Sequence, residues 1–515
     1  MSINLNRRSV LQTGAAAGVL AATGMPAVAA PKRGGTLRLG LKGANTSDTW
    51  DGRTHSDSFM INMGHGCVFE CLTEVQSNGE LTGELAESWT ASADAKVWTF
   101  KLRKGVKFHN GKSFGADDVI ESLQMHTAEG AKSAAKPIVS AITDMKKVNN
   151  HEVQLTLKAG NADFPYLLSD YHIQIYPAGM IDEAIAKGIG TGPYKVVSFD
   201  PGVRCVVTRV DDHHLADRGG YFDGIEAIAI NDDAARTNAL MTGQVDAINN
   251  IDKKTIPLAK ANPMVSIVEV TGNMQYTFPM LTNVEPFGDV NVRKALKYAC
   301  DRDEMVKKIL QGHGAVGNDN PIGPANQYVN TEMEQLAYDP DKSKFYLKKA
   351  GMSSLNIDLS ASDGAFNGAV DAAQLYQNSA KAAGININVV QEPADGYWSN
   401  VWLKKGWCAC YWSGRATEDW MFSTAYERGV PWNDTGWDNE RFQNLLLEAR
   451  AELDSGKRRE MYGEMQSLVS QEGATIIPMF ANYIDAHSTK VAHSGEIGNL
   501  WMLDNSRICK RWWMA

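Results

Sequence analysis

The chain has 515 residues, 43% hydrophobic and 22% charged, with 51 basic against 60 acidic side chains and seven cysteines. Its length exceeds the roughly 250–300 residues at which a single core stops growing, so two or three domains are expected and disorder is excluded. The net charge of −9 excludes non-specific nucleic-acid binding, which needs a dense basic face, and seven cysteines are too few for a disulfide-built scaffold and leave at least one thiol unpaired.

In chain order, Arg7 and Arg8 precede an apolar, small-residue stretch from Thr13 to Met25 and then Pro26-Ala27-Val28-Ala29-Ala30. This is the layout of an export signal over residues 1–30, with the paired arginines of the twin-arginine type. Its removal takes away two positive charges and leaves a more acidic chain. No later apolar run reaches the roughly 18 residues of a membrane span. With no cysteine at the cut to carry a lipid, a soluble periplasmic protein is expected.

Gly35–Leu41 alternates apolar and polar residues, the pattern of a half-buried strand, and Val97–Leu102 does the same, with a hairpin-like sequel over 105–111. Ala116-Asp117-Asp118 opens a helix with acids in its first turn, where they complement the helix dipole. Further strands are predicted at Val153–Leu157 and Tyr194–Phe199, and helices over 290–310, 341–350, 369–383 and 439–472. This is α/β material without a repeat or a low-complexity linker, as in a chain that passes between its domains more than once.

Several enzyme signatures are missing: the sequence holds no HExxH, GxxxxGK[ST] or CxxC. Gly188–Gly192 is followed by Pro193 and reads as a turn. Asp211-Asp212-His213-His214 reads as a solvated loop, because neighbours on an extended segment point to opposite faces and share one ion poorly. Cys408 and Cys410 lie two apart and fall on one face of a buried strand. Seven of the thirteen tryptophans (398, 402, 407, 412, 420, 432, 437) crowd into forty residues. Domain core and ligand pocket both account for such crowding. The loop Ser413–Asp419 tips the reading to a pocket, since it brings Arg415, Glu418 and Asp419 among the aromatics, and Arg415 presents a planar fork suited to a carboxylate.

Several stretches together carry a resemblance. Leu85–Trp89 and Trp98–Lys112 with Ala116–Val119, then Gly190–Tyr194, Ala239–Asp246, Pro286–Leu296 with Cys300–Arg302, Tyr338–Asp341, Lys348–Gly351 and Ala383–Ile385 resemble, in order, the family 5 solute-binding proteins. These are the dipeptide, oligopeptide and nickel receptors of ABC importers. The resemblance implies an α/β, two-lobed periplasmic-binding-protein fold with mixed sheets, an extra N-terminal subdomain and a hinge. Lobe I would be discontinuous (31–60, 190–270 and 485–515), with the subdomain at 61–189 and lobe II at 271–484. It further implies capture of a small solute by lobe closure and delivery to permease subunits in the membrane, by a monomer with no cofactor, no metal and no catalysis.

In the family's peptide receptors the loop matching 413–419 usually carries an aspartate for the peptide amine; here Arg415 stands there. The arginine that takes the carboxylate in dipeptide receptors aligns, counting back from Gly384, with Asp363. The two charges look exchanged. Either Asp363 and Arg415 clamp a zwitterion with its ends reversed, or they pair with each other and leave a neutral pocket for a sugar-like solute, or Asp363 is a solvated loop residue. The favoured ligand is a peptide-like or amino-acid-derived, opine-like zwitterion. By position in the family, Trp50, Ser56, Asp57, Ser58, Phe59, Trp412, Gly414, Glu418, Asp419 and Trp420 are the other candidate ligand contacts. A secreted hydrolase and a holdase are the remaining alternatives; the first needs a nucleophile with its base, and the second predicts promiscuous binding of unfolded chains.

Overall fold

The structure, a computed structural model, describes residues 31–394 and 396–515. The export signal expected over 1–30 lies outside them. A nine-stranded mixed sheet runs in the order Cys410–Trp412, Val265–Pro279, Thr475–Ser488, Ala247–Ile248, Thr36–Leu41, Gly224–Ala229, Arg204–Arg209, Tyr194–Asp200, with Gly314–Val316 added beside Thr475–Ser488. Thr36–Leu41 is parallel to both its neighbours, and the outer strands are antiparallel. Its Leu37, Leu39 and Leu41 are fully buried, which is the face the alternation predicts.

Two long strands, Val265–Pro279 and Thr475–Ser488, pair along nearly their whole length. Their lower halves lie beside lobe I strands and their upper halves beside Cys410–Trp412 and Gly314–Val316. The register jumps between Val270 and Met274, an irregularity that lets the ladder bend where it passes from one lobe to the other. This bend is the hinge. One apolar core runs from Leu37 through the four-stranded antiparallel sheet of Ala86–Ala91, Val97–Leu102, Glu152–Leu157 and Ile142–Asn149 to Trp512, and a second is built from Tyr276 to Ala481. In the second, Leu355–Ala361 and Ile385–Gln391 are parallel strands joined through the helix Ala369–Ala380, a βαβ unit.

Two predicted helices are each broken. The stretch 290–310 forms Val290–Tyr298 and Arg302–Lys308, and 439–472 forms Glu440–Ala451 and Ser455–Glu472. At each break an aspartate in extended backbone caps the next helix: Asp301 accepts from the Glu304 N–H at 3.0 Å and Asp454 from the Lys457 N–H at 2.9 Å. The glycine run 190–192 is a turn pressed onto Cys67 and Val68, where a Cβ at Gly192 would overlap the Cys67 carbonyl. All seven cysteines are free thiols and all are buried.

Candidate ligand-binding cleft

The strand Cys410–Trp412 adds to the hinge strand in the register Gln275↔Trp412, so the loop that follows it emerges beside the hinge. Thr417 ends that loop by capping the helix Glu418–Ala425, accepting from the Trp420 N–H at 3.3 Å. Between them Gly414 lies flat on Asn273: a Cβ there would overlap the Asn273 amide, whose Nδ2 donates to the Arg415 carbonyl at 3.2 Å. The loop is therefore fixed from below and presents Arg415 upward.

Arg415 is half-buried and forms no ion pair among the described residues. Its guanidinium donates to the carbonyls of Ser413 at 2.9 Å and Gly414 at 3.4 Å and lies 5.6 Å over the Trp420 ring. Burial lowers its affinity for the proton, opposed by Tyr171, Asp170, Tyr483 and Tyr411. Two of those four come from the other side of the cleft. Burial works against the Asp170 carboxylate, but His172, bonded to it through Nδ1 at 2.6 Å, with Arg415 contributing, holds it below its ordinary range. Tyr171 stands edge-on to Trp501 at 5.2 Å, and Trp501 to His65 at 5.9 Å. Trp420 packs from lobe II against the lobe I core. The cleft thus has an aromatic wall and the Asp170 carboxylate on lobe I, and an unpaired cation on lobe II.

Other sequence-chosen residues have different fates. Trp50 and Phe59 are core, not contacts: Trp50 is 1% exposed, with Phe199 at 4.9 Å and Phe69 at 6.2 Å, and Phe59 is fully buried. Asp57 caps the helix Ser58–Gly64 through the N–H groups of Phe59 and Met60, and burial, with Asp48 adding, raises it to about 6. Asp57 also lies within charge reach of Tyr171, so it borders the cleft, while Ser58 bonds the Met502 sulfur at 2.9 Å and Ser56 is exposed. Glu418 and Asp419 are tied into the scaffold: Glu418 accepts from the Tyr328 N–H at 2.7 Å and Asp419 pairs with Arg450 at 2.8 Å. Asp363 is an exposed loop residue whose nearest bond is a weak one from the Val370 N–H at 3.5 Å, and no pair with Arg415 forms. Asp363 thus stands as the solvated loop residue of the third alternative, and the neutral pocket formed by its pairing with Arg415 is not seen.

Three of the seven crowded tryptophans are core. Trp407, Trp412 and Trp437 are buried, and the indoles of Trp402 and Trp412 both donate to Asp434, at 3.1 and 3.2 Å. Burial raises the Asp434 carboxyl to about 6 against those two donors. Of the seven, Trp420 lies beside Arg415, and Trp398 and Trp432 are exposed. Asp170, Tyr171, Trp501, Tyr483 and Asn273 were not chosen from the sequence. Nothing local distinguishes them, since they come from four segments that only folding brings together.

The model of the bacterial extracellular solute-binding proteins, family 5 Middle, matches residues 80–434. The chain belongs to this family. It is a family 5 solute-binding protein of ABC importers. It is 28% identical over 447 residues, 77% of this chain and 80% of the other, to the Dipeptide-binding protein of Escherichia coli (strain K12). Among solved structures it is similar to HbpA2 from Haemophilus parasuis, with a TM-score of 0.81 at 21% identity, covering 89% of this chain and 96% of that one. It is also similar to AgaA from A.tumefacien R10 in complex with agropinic acid, with a TM-score of 0.75 at 21% identity, covering 93% and 99%.

This family 5 protein is described here with its lobes in contact. The Ala162 N–H donates to the Arg450 carbonyl at 2.7 Å, and Asp163 pairs with Arg458 at 2.6 Å with both side chains buried. The helix break at 452–454 is what turns Arg450 and Arg458 toward the subdomain. Two surface hollows, of about 450 and 320 Å³, are lined only by lobe I and subdomain residues and lie away from Arg415. No helix among the described residues is long and apolar enough to cross a membrane.

Proposed function

We propose that this family 5 protein captures a small peptide-like or amino-acid-derived, opine-like zwitterion in the periplasm and hands it, without chemistry, to the permease subunits of its importer. The observation that carries this reading is the unpaired Arg415. Even a half-buried guanidinium without a counter-ion is costly, and a ligand carboxylate supplies both the charge and the planar acceptor pair it lacks. The carboxylate would contact lobe II through Arg415, while Tyr171 and Trp501 pack the solute from lobe I and Asp170 and Asp57 face its cationic nitrogen. A ligand touching both lobes favours the closed state, which is how a hinge protein converts binding into closure. The neighbour bound to agropinic acid and the dipeptide-binding relative are consistent with this class.

A thermal-shift screen of dipeptides, opines, amino-acid derivatives, sugars and Ni²⁺ tests it. A ligand at 100 times its Kd adds roughly 2.7 kcal/mol of stability. Stabilisation by a carboxylate-bearing zwitterion that disappears in Arg415→Ala supports the reading. A best ligand without an anionic group, bound equally well by Arg415→Ala, overturns it.

A further inference from the structure

Outside the cleft, the structure assigns a divalent transition-metal site of the zinc class to Glu70, His213 and His214. Glu70 is fully buried and neither carboxylate oxygen has a hydrogen-bond partner, which is rare for a charged group because desolvation goes uncompensated. The Nε2 atoms of His213 and His214 each stand 3.5 Å from the same oxygen, Oε1. That separation is close to the edge of a tetrahedron with metal bonds of about 2.0–2.2 Å. The His214 Nε2 is also buried and without a partner.

The sequence reading set this cluster aside because neighbouring side chains on an extended segment diverge. The segment is not extended. The His213 N–H donates to the Val210 carbonyl at 3.3 Å and the Ala216 N–H to the His213 carbonyl at 2.9 Å, and in this turned backbone the two imidazole rings lie 4.2 Å apart. Asp211 and Asp212 are solvated as expected, but His213 is buried and the His214 side chain is 11% exposed, enough to mark the way in.

The neighbouring charges leave Glu70 open. Glu74, Glu84 and Asp504 pair with Arg507, Lys510 and Arg511, three carboxylates against three cations, a network balanced without Glu70. Two imidazoles and one carboxylate with a fourth position free are a borderline-soft donor set, suited to Zn²⁺ and poorly suited to Mg²⁺ or Ca²⁺. His213 faces the Thr191 carbonyl through Nε2 at 3.1 Å and the Leu215 N–H through Nδ1 at 3.2 Å. Ligation through Nε2 moves its proton to Nδ1 and gives up the Leu215 contact, so Glu70 and His214 anchor the ion.

The test uses the full protein, free of any affinity tag, dialysed against Zn²⁺ and analysed for bound metal, with Co²⁺ as a spectroscopic probe of tetrahedral geometry. One equivalent of Zn²⁺ is expected, with none of Mg²⁺ or Ca²⁺. His214→Ala, at the rim of the site, is expected to weaken uptake by at least tenfold, within the roughly 10- to 100-fold that even outer-shell partners are worth, and Glu70→Gln likewise. Arg415→Ala, in the cleft, is expected to leave it unchanged. No zinc in the wild-type protein, or equal zinc in His214→Ala, overturns the assignment.

Discussion

Two regions of this molecule handle inward-pointing cations in opposite ways. Around the C-terminal helix, Arg507 is 1% exposed on its side chain and meets Glu84 through two bonds of 2.5 and 3.2 Å, with Lys510 and Arg511 matched to Glu74 and Asp504 beside it. At the cleft, Arg415 meets only backbone carbonyls and the face of Trp420. Burial opposes the charge of both, yet the carboxylates around Arg507 raise its pKa, while that of Arg415 stays lowered. A matched charge holds the fold together; an unmatched one held by a rigid loop is free energy available to a ligand.

Four substitutions sharpen or break that contrast. Arg507→Met leaves three buried carboxylates to two cations, with Glu84 paired only with Lys510 at 2.8 Å, and is expected to cost about 3–5 kcal/mol in denaturant unfolding, since removing a cation from a buried network leaves a carboxylate under-compensated. Arg415→Ala is expected to leave unfolding nearly unchanged but to weaken binding of a carboxylate ligand by about 2–5 kcal/mol, measured by calorimetry. A large loss of stability in Arg415→Ala would erase the distinction between the two regions.

Glu418 tests a buried acid that has no cationic partner of its own. Burial raises its pKa to about 7 against the bond from the Tyr328 N–H. The folded state therefore binds this proton more tightly than the unfolded state, so its contribution to stability is present below the unfolded value and is lost as pH rises toward 7. Glu418→Gln keeps the acceptor and removes the titration. Its stability relative to wild type is expected to improve by roughly 2 kcal/mol between pH 5 and 7, read from paired unfolding curves. The smallest effect is expected at the seam. Arg458→Met removes the pair to Asp163, which is buried only when the lobes meet, so ligand affinity is expected to fall by about 1.4 kcal/mol, a factor of ten, with a larger radius in small-angle scattering.

Much of the fold was legible because its signals are local. The alternation of Gly35–Leu41 and Val97–Leu102, the acidic opening at Ala116–Asp118 and the glycine turn at 188–192 report on neighbours a few residues apart, and each stands where it was predicted. The helix breaks at 299–301 and 452–454 were missed because apolar periodicity continues across them. Asp301 and Asp454 mark both breaks, and an aspartate three residues before the N–H it caps is the signal that would have found them.

The site was less legible. Arg415 was found because a charge among tryptophans stands out locally, but Asp363 was paired with it by counting positions, and counting carries no distance information. Of the side chains around Arg415, Trp420 and Tyr411 are its sequence neighbours, but Asp170 and Tyr171 before it and Tyr483 after it come from segments more than 60 residues away. His213 and His214 show the same limit within two residues: whether neighbours diverge or converge depends on a turn set by hydrogen bonds to Val210 and Ala216. Composition, patterning and motif order were enough for an α/β chain of this family with a charged aromatic loop, since those depend on residue type and spacing. Which charges end matched and which are left open depends on desolvation and on distances between remote segments, and these exist only once the two lobes have packed.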